Sequence, residues 1–316
     1  MSVVYDCQII GAGAAGISLM IALENQIASA SGVDKEKLLS LQNSCVILEG
    51  QAQGGGQLGH YRINANTDAA EMVSGIADNT AFSSIRDAYL KSIDPEQPLI
   101  SLTQVNTSML QPLADKVREL LAERLRFNSS VAYIRKDAYG FHSFNQGDEL
   151  LASSQHVVIA CGGSEPLLDE LRAFEHKSIV ASDFLQLDDP AKLSQRDGDI
   201  VIVGASHSGF SCAWRLLNDP LLANFCRGRQ IQICHRGGLI KIRATREFAA
   251  LKQMVYQDPE DVCPDTELVY RHAGLRKDAK QLYMDIKQQR ESRVELINII
   301  SVDKAHAMLD SAGLII

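Results

Sequence analysis

Two stretches of the chain repeat the same order of apolar and glycine positions. Each has a short apolar run, a glycine-rich turn, a helical apolar pattern and a second apolar run. The first copy lies at 4–10, 11–16, 17–27 and 45–48, and the second at 200–203, 204–209, 210–217 and 230–234. A strand, a turn, a helix and another strand make a β-α-β unit, which implies parallel strands and a right-handed crossover.

Between these units the pattern changes to short alternating pieces. Three of them, separated by turn residues, predict a small antiparallel β-meander over 131–135, 140–144 and 149–152. The remaining pattern predicts a buried strand at 156–160, helices at 68–92 and 112–125, and a polar insertion at 28–43. We therefore expect an α/β protein with two Rossmann-like dinucleotide-binding domains, three-layer sheet packing and the β-meander.

The length of the chain supports a division into two domains. A domain has about 100–200 residues, and this sequence has 316. A polar stretch at 188–199 precedes the second unit. We expect one domain at 1–188 and a second at 189–316.

The charge and hydropathy of the chain argue against several kinds of partner. The net charge is −8, and no basic tract is typical of a nucleic-acid-binding arm. No apolar stretch approaches the roughly 18 residues of a membrane-spanning helix, and the N-terminus lacks the pattern of a signal peptide. We expect a cytoplasmic protein with no nucleic-acid or membrane partner, and homo-oligomerisation stays open.

The seven cysteines indicate neither a metal site nor a dithiol centre. They are scattered along the chain, and none forms a Cys-x-x-Cys motif. Cys7, Cys45, Cys161 and Cys234 fall in or beside predicted strands, where cysteine serves as a small core residue in a reducing compartment. The sequence predicts no metal, and it identifies no catalytic residue.

The first glycine turn has the composition of a phosphate site. Gly11 permits the tight turn, Gly13 leaves the backbone open to a pyrophosphate, and Gly16 lets the helix pack close to the strand. The backbone N–H groups around Ala14 and Ala15, at the positive end of the helix, would hold the phosphates. Because the turn follows a strand and opens a helix, we favour a dinucleotide site over a crossover turn without a ligand.

Glu49 ends the strand that completes the first unit. A carboxylate at this place would accept hydrogen bonds from the hydroxyls of the adenosine ribose. Glu49 lies farther from the turn than the usual distance of about 20 residues, and the insertion at 28–43 accounts for the difference. The alternative is a solvated carboxylate at a strand end.

The second turn departs from the ideal spacing at one position. Gly204, Ser208 and Gly209 fit it, but Ser206 stands where the middle glycine would be. Serine is small and can itself donate to a phosphate, so a second nucleotide site is expected. For His207, inside the turn, we favour a side chain that points to solvent.

The end of the second strand in this unit bears on the choice of cofactor. An acid there would bind a free ribose 2′-hydroxyl, but the chain has Arg236. A guanidinium pairs with a phosphate through two parallel hydrogen bonds. The sequence therefore favours NADPH over NADH, the alternative being a basic cluster on the surface.

Together these features resemble the FAD- and NAD(P)-binding oxidoreductases of the thioredoxin-reductase and flavin-monooxygenase superfamily. The resemblance rests on the turn at 11–16 with Glu49, on the strand end at 157–163 and on the turn at 204–209. Cys161 and Gly162 are similar to the second and third positions of the superfamily's A-T-G motif. The resemblance implies FAD at the first turn and NADPH at the second, so that 1–188 would be an FAD-binding domain and 189–316 an NAD(P)-binding domain.

The turn at 204–209 is similar to the N-S-G type of flavin monooxygenases and N-hydroxylases. The segment after Glu49 resembles the one that lies against the isoalloxazine ring, with candidates Gln57, Leu58, Asn64 and Asn66. The resemblance implies that NADPH reduces FAD and that reduced flavin activates oxygen for a small-molecule substrate. The sequence does not identify that substrate, and the missing Cys-x-x-Cys argues against thioredoxin reductase.

Two other functions stay open. One is a flavin reductase or dehydrogenase that passes electrons to a partner, and the other is a nucleotide-binding protein without turnover. Members of the superfamily return to the FAD domain through a further strand and a Gly-Asp motif, and this sequence ends at 313–316, where that strand would begin. The resemblance thus implies a missing FAD-return segment and a flavin that is exposed and weakly held.

Overall fold

The computed structural model describes residues 3–94, 99–194, 196–299 and 301–316. Its strands are β1 Val4–Ile10, β2 Cys45–Leu48, β3 Leu125–Arg126, β4 Tyr133–Asp137, β5 Gly140–Phe144, β6 Leu150–Ile159, β7 Ile200–Val203, β8 Ile231–His235, β9 Val294–Asn298 and β10 Leu314–Ile315.

Its helices are α1 Ala14–Ser29, α2 Gly32–Asn43, α3 Ala69–Val73, α4 Ser83–Lys91, α5 Leu102–Val105, α6 Gln111–Leu121, α7 Ala181–Gln186, α8 His207–Asn218, α9 Arg246–Leu251, α10 Lys277–Lys287 and α11 Val302–Ser311. A π-helical segment, Asn106–Leu110, joins α5 to α6. Among the described residues, no helix is long and apolar enough to cross a membrane.

The first sheet has the strand order β3-β2-β1-β6-β5-β4. The pairs from β3 to β6 are parallel, and β5 pairs antiparallel with β4 and β6. Every residue of β2 is buried, as expected for a parallel strand covered on both faces. The expected β-α-β unit, with α1 as its crossover, and the expected meander therefore belong to one sheet.

Strand β6 joins two elements that the sequence pattern had separated. The expected meander piece at 149–152 and the expected buried strand at 156–160 are one continuous strand. Its first half pairs with β5 and its second half with β1. The prediction of two strands was wrong because a long strand that changes partners also changes its pattern of burial.

The second sheet is wholly parallel and has the order β10-β7-β8-β9. Its central strand β7 has Ile200, Val201 and Ile202 fully enclosed, and α8 crosses over to β8. The α/β architecture with two Rossmann-like units is confirmed.

Two predicted local elements differ from the structure. The polar stretch at 28–43 contains α2, which exposes almost its whole length, because Lys, Glu, Leu and Gln all favour helix without needing burial. The single helix predicted over 68–92 is two helices, α3 and α4. Gly75 follows the end of α3, and glycine is common where a helix stops.

The chain forms two compact units, one of 1–61 with 68–164 and the other of 62–67 with 165–316. The expected boundary at 188 lies later than this division, because the residues just after 164 pack with the second sheet. Leu171 and Phe174 share a buried cluster with Val201 and Ile315. Which cofactor each unit binds stays a prediction at this point.

Arg215 is the largest side chain that the fold encloses completely. It lies on α8, donates to the carbonyl oxygens of Phe184 and Leu187, and pairs with Asp219 at 3.1 Å. A buried charge is tolerated when hydrogen bonds and an opposite charge satisfy it. Arg215 therefore fastens the segment before the second sheet to the helix of that sheet.

We expect Arg215→Met to destabilise the second unit strongly. Removing one member of a buried ion pair costs about 3–5 kcal/mol, because the partner groups stay buried without compensation. The measurement is the free energy of unfolding by denaturant, followed in the variant and the unmodified chain. Arg172→Met is the control, since Arg172 pairs with Asp169 on the surface, and a loss as large as that of Arg215→Met would contradict the interpretation.

Candidate functional site

The first glycine turn is shaped by two close approaches of backbone to backbone. A Cβ added to Gly16 would lie 2.0 Å from the carbonyl oxygen of Gly11, and one added to Gly11 would lie 2.5 Å from that of Ala160. Gly11 also has a φ of +107°, which side chains rarely adopt. Its N–H donates to Leu48 at 2.8 Å. The fold itself therefore requires glycine at both positions.

Gly13 is different, because the fold leaves room for a side chain there. An added Cβ would lie 3.6 Å from its nearest neighbour, the Cα of Gly56, which is an ordinary contact. Gly13 is the N-cap of α1 and makes no side-chain cap, while Ala14 and Ala15 are exposed. The first N–H groups of this long helix therefore have no side-chain cap, an arrangement that suits an anion.

Glu49 is buried and holds the turn from within. Its carboxylate accepts from the N–H of Ala12 at 2.6 Å and from the N–H of Gln51 at 2.8 Å. The alternative of a solvated carboxylate is thereby wrong. Each carboxylate oxygen has a further lone pair, so hydrogen bonds from a ribose are compatible with this arrangement.

Cys161 and Gly162 follow β6 and lie next to the first turn. The Cα of Cys161 would be 2.9 Å from a Cβ on Gly11, and the N–H of Ala160 donates to Ile10 at 2.8 Å. Gly162 has a φ of +74° and open space around it. The structure therefore brings together the turn and the strand end that the sequence identified separately.

A separate glycine loop, residues 54–59, lies over the first turn. The N–H of Gly55 donates to the carbonyl oxygen of Ala12 at 3.0 Å. Within this loop, Leu58 begins a 3₁₀ turn and Gln57 Oε1 lies 2.8 Å from His60 Nδ1. Two of the predicted flavin-ring residues therefore stay in the unit that holds the first turn.

Asn106 is a residue that the sequence did not single out. A Cβ on Gly55 or Gly59 would collide with its amide, and its Oδ1 is buried without a hydrogen bond from any described residue. Asn106 also begins the π-helical segment, a form of helix that often marks functional sites. No local pattern of residues signals this contact, because Asn106 reaches the glycine loop only through the fold.

The other two predicted flavin-ring residues lie in the second unit. Asn64 Nδ2 donates to Asp278 Oδ2 at 2.9 Å. Asn64 and Asn66 line a cavity of about 10 Å³ beside His207, which has room for about one water molecule. Asn64 and Asn66 therefore belong to the second unit, and Gln57 and Leu58 belong to the first.

The second glycine turn has the same construction as the first. A Cβ on Gly209 would lie 1.9 Å from the carbonyl oxygen of Gly204, and Gly204 has a φ of +123°. The N–H of Gly204 donates to the last-but-one residue of β8, Cys234, at 3.0 Å. Ser206 is the N-cap of α8 without a side-chain bond, and Ser206 and Ser208 are both exposed.

A cavity of about 1190 Å³ opens beside this turn in the second unit. Its walls include Gly204, Ser206 and His207 from the turn and Arg236 from the end of β8. Apolar side chains of α11 and of the segment before β7 complete it: Leu168, Leu171, Met308 and Leu309. The cavity therefore lies at the carboxyl ends of parallel strands, where open α/β sheets bind their ligands.

The sequence suggested that His207 points to solvent, but the structure holds its side chain in place. Its Nε2 accepts from the backbone N–H of Arg276 at 3.0 Å, and its Nδ1 is buried without a hydrogen bond from any described residue. Burial and the charge of Arg276 lower the pKa of His207, and the carbonyl of Gly274 partly opposes them. Since Nε2 accepts, the neutral ring carries its proton on Nδ1.

Basic groups gather at one edge of the cavity. Arg236 is exposed, His235 beside it has a buried Nδ1 without a hydrogen bond from any described residue, and Lys241 pairs with Asp261 at 3.2 Å. Glu170 is the acid in the lining. Two unpartnered imidazole nitrogens and a guanidinium around one space are suited to an anionic ligand.

Comparison with known proteins agrees with this construction. The sequence profile of the pyridine nucleotide-disulphide oxidoreductases matches residues 5–252. No curated protein matches the chain in sequence.

Among solved structures, the fold is similar to that of ornithine hydroxylase (PvdA) from Pseudomonas aeruginosa, with a TM-score of 0.61 at 16% identity over 93% of this chain and 73% of the other. It is also similar to L-lysine 6-monooxygenase from Pseudomonas syringae, with a TM-score of 0.58 at 15% identity over 93% of this chain and 71% of the other. At such identities the likeness shows a shared fold. Because the family profile spans most of the sequence, the chain belongs to the pyridine nucleotide-disulphide oxidoreductase family and is an FAD- and NAD(P)-dependent oxidoreductase.

Proposed function

We propose that the protein is an NADPH-dependent flavin monooxygenase that acts on a small-molecule substrate. FAD would bind at the first glycine turn and NADPH in the cavity beside the second. Once bound, the flavin supplies the redox and oxygen chemistry, and the chain supplies binding, orientation and electrostatics.

The observation that carries this proposal is the fold that 93% of the chain shares with both ornithine hydroxylase and L-lysine 6-monooxygenase. Both names describe oxygenation of an amino acid that has an amine on its side chain. The second turn, with Ser206 and Ser208, is similar to the turn of flavin monooxygenases and N-hydroxylases. An amine is therefore the first substrate class to test.

In the first unit, the chain would bind FAD through backbone and through two side chains. The N–H groups at the start of α1, which have no side-chain cap, would hold the pyrophosphate. Glu49 would accept from the ribose while it fixes the turn. The buried Oδ1 of Asn106 would accept a hydrogen bond from the ligand, which satisfies an atom that the protein leaves unpaired.

In the second unit, the chain would bind NADPH through groups of opposite charge to the phosphates. The start of α8 would hold the pyrophosphate, with the Nδ1–H of His207 as an added donor. Arg236 and His235 would face the 2′-phosphate. His207 stays neutral near neutral pH because its pKa is lowered, so it donates as a dipole and its bond to Arg276 is kept.

Three measurements on the purified chain test the proposal. The visible spectrum reports bound FAD, oxidation of NADPH reports turnover, and mass spectrometry of the products reports oxygenation. A monooxygenase oxidises NADPH faster when its substrate is present and transfers oxygen to that substrate. Rapid NADPH oxidation that yields only peroxide, or that requires an added electron acceptor, would instead indicate a reductase.

We expect Gly13→Ala to lower the affinity for FAD by at least about tenfold, which corresponds to about 1.4 kcal/mol. The added methyl group fits the protein itself, so it obstructs only a pyrophosphate. Titration of the apoprotein with FAD gives the dissociation constant, and thermal unfolding checks the fold. Gly75→Ala is the matched control, because its methyl group would meet nothing within 4 Å. An unchanged FAD affinity in Gly13→Ala would contradict the assignment of the FAD site to the first turn.

We expect the unmodified protein to bind NADPH about ten to one hundred times more tightly than NADH, because a guanidinium forms two charge-assisted bonds with a phosphate. Arg236→Ala should remove most of this preference and leave NADH affinity nearly unchanged. Dissociation constants for both cofactors are measured at one salt concentration, since salt screens surface charge. The control is Arg246→Ala, whose side chain pairs with Asp258. A preference that survives Arg236→Ala would contradict the assignment.

A further inference from the structure

Cys7 and Cys45 form a pair of neighbouring thiols that the sequence pattern did not reveal. They are Cα partners in the parallel ladder of β1 and β2, so their side chains stand on the same face of the sheet. Neighbouring strands lie about 4.8 Å apart, within the range of about 4.4–6.8 Å over which a disulfide joins two Cα atoms. All seven cysteines are free thiols in the structure.

The surroundings make the two thiols unequal. The Cys7 thiol has a lowered pKa, chiefly because of a hydrogen bond with the Cys45 thiol. Burial and the charge of Asp6 act in the opposite direction. The same bond and burial raise the pKa of Cys45, which is almost fully buried, against a smaller effect of the Arg124 guanidinium. Cys7 is partly exposed and Cys45 is buried, so Cys7 is the more accessible of the two residues.

The geometry points to Cys7 and Cys45 as a redox-active dithiol that hydrogen peroxide, or a peroxide of similar size, oxidises to a disulfide between β1 and β2. Cys7 is the attacking thiol and Cys45 the resolving thiol. This pair is unrelated to a Cys-x-x-Cys motif, and the expectation that the cysteines form no dithiol centre is replaced by this assignment.

The chemistry balances in two steps. The Cys7 thiolate attacks one oxygen of the peroxide; the S–O bond forms, the O–O bond breaks, and the departing hydroxide takes up the proton that Cys7 released on ionising to become water. The sulfur of Cys45 then attacks the sulfenic sulfur; the S–S bond forms, the S–O bond breaks, and hydroxide leaves with the proton of Cys45 as a second water. Two thiols lose two electrons, and one peroxide is reduced.

The disulfide should be reversible by small dithiols. A bond between directly paired residues of adjacent strands is constrained by the sheet, and strained disulfides are the more easily reduced ones.

Two other cysteines provide internal references for the rate of oxidation. Burial raises the pKa of Cys226 to about 11, and contacts with Thr266 and Arg271 lower the pKa of Cys263 to about 7.

The test uses the purified full chain, first reduced and then treated with hydrogen peroxide in excess over its seven cysteines. Proteolysis under acid conditions and mass spectrometry follow the peptide in which Cys7 is linked to Cys45. We expect this peptide to form, to disappear with dithiothreitol, and to form at least about ten times faster than Cys226 is oxidised, because thiolate character sets the rate. A linked peptide that arises only between two chains would overturn the assignment.

Variants separate the two roles. In Cys45→Ser, dimedone should trap a sulfenic acid on Cys7, whereas in Cys7→Ser the oxidation of Cys45 should fall to the rate of Cys226. Cys263→Ser is the matched control and should leave the rate of linkage unchanged. If peroxide oxidises Cys263 in the unmodified chain while Cys7 and Cys45 both stay reduced, the pair is structural and the proposal is wrong.

Discussion

One contact recurs in both units, and each nucleotide-type turn depends on it. The third glycine of the turn lies against the carbonyl oxygen of the first, Gly16 on Gly11 and Gly209 on Gly204, with no space for a Cβ. The first glycine also donates its N–H to the neighbouring strand. These two constraints fix where the helix begins relative to the sheet. The free N–H groups at the helix start are therefore placed at the carboxyl end of the strands in both units.

The same backbone construction has opposite charge around it in the two units. In the first, Glu49 is buried at the end of β2 and accepts from the turn itself. In the second, β8 leads to Arg236, and the N–H of Gly204 donates to the backbone of Cys234. In the proposed sites, selectivity between the two dinucleotides would be separate from the capacity to bind a pyrophosphate. The turn would supply that capacity, and the residue that follows the neighbouring strand would supply the choice of dinucleotide.

Sequence predicted the parts of this structure that depend on near neighbours. The spacing of Gly11, Gly16, Gly204 and Gly209 is a local requirement, so both turns were found where the structure has them. Contacts between distant residues escaped prediction. The orientation of His207 depends on the backbone of Arg276, and the side chain of Asn64 is held by Asp278, which is 214 positions away in the sequence. Asn106 reaches the glycine loop through a π-helical segment that no pattern announces.

The buried guanidinium of Arg215 has a consequence for local unfolding of the second unit. Its two donated bonds end on the carbonyl oxygens of Phe184 and Leu187, and its charge is balanced by Asp219, the residue that follows its own helix. Neither α7 nor α8 can separate from the other without leaving these groups unsatisfied in the interior. The two helices should therefore exchange their amide hydrogens as one cooperative block, although a strand and several turns lie between them in the sequence.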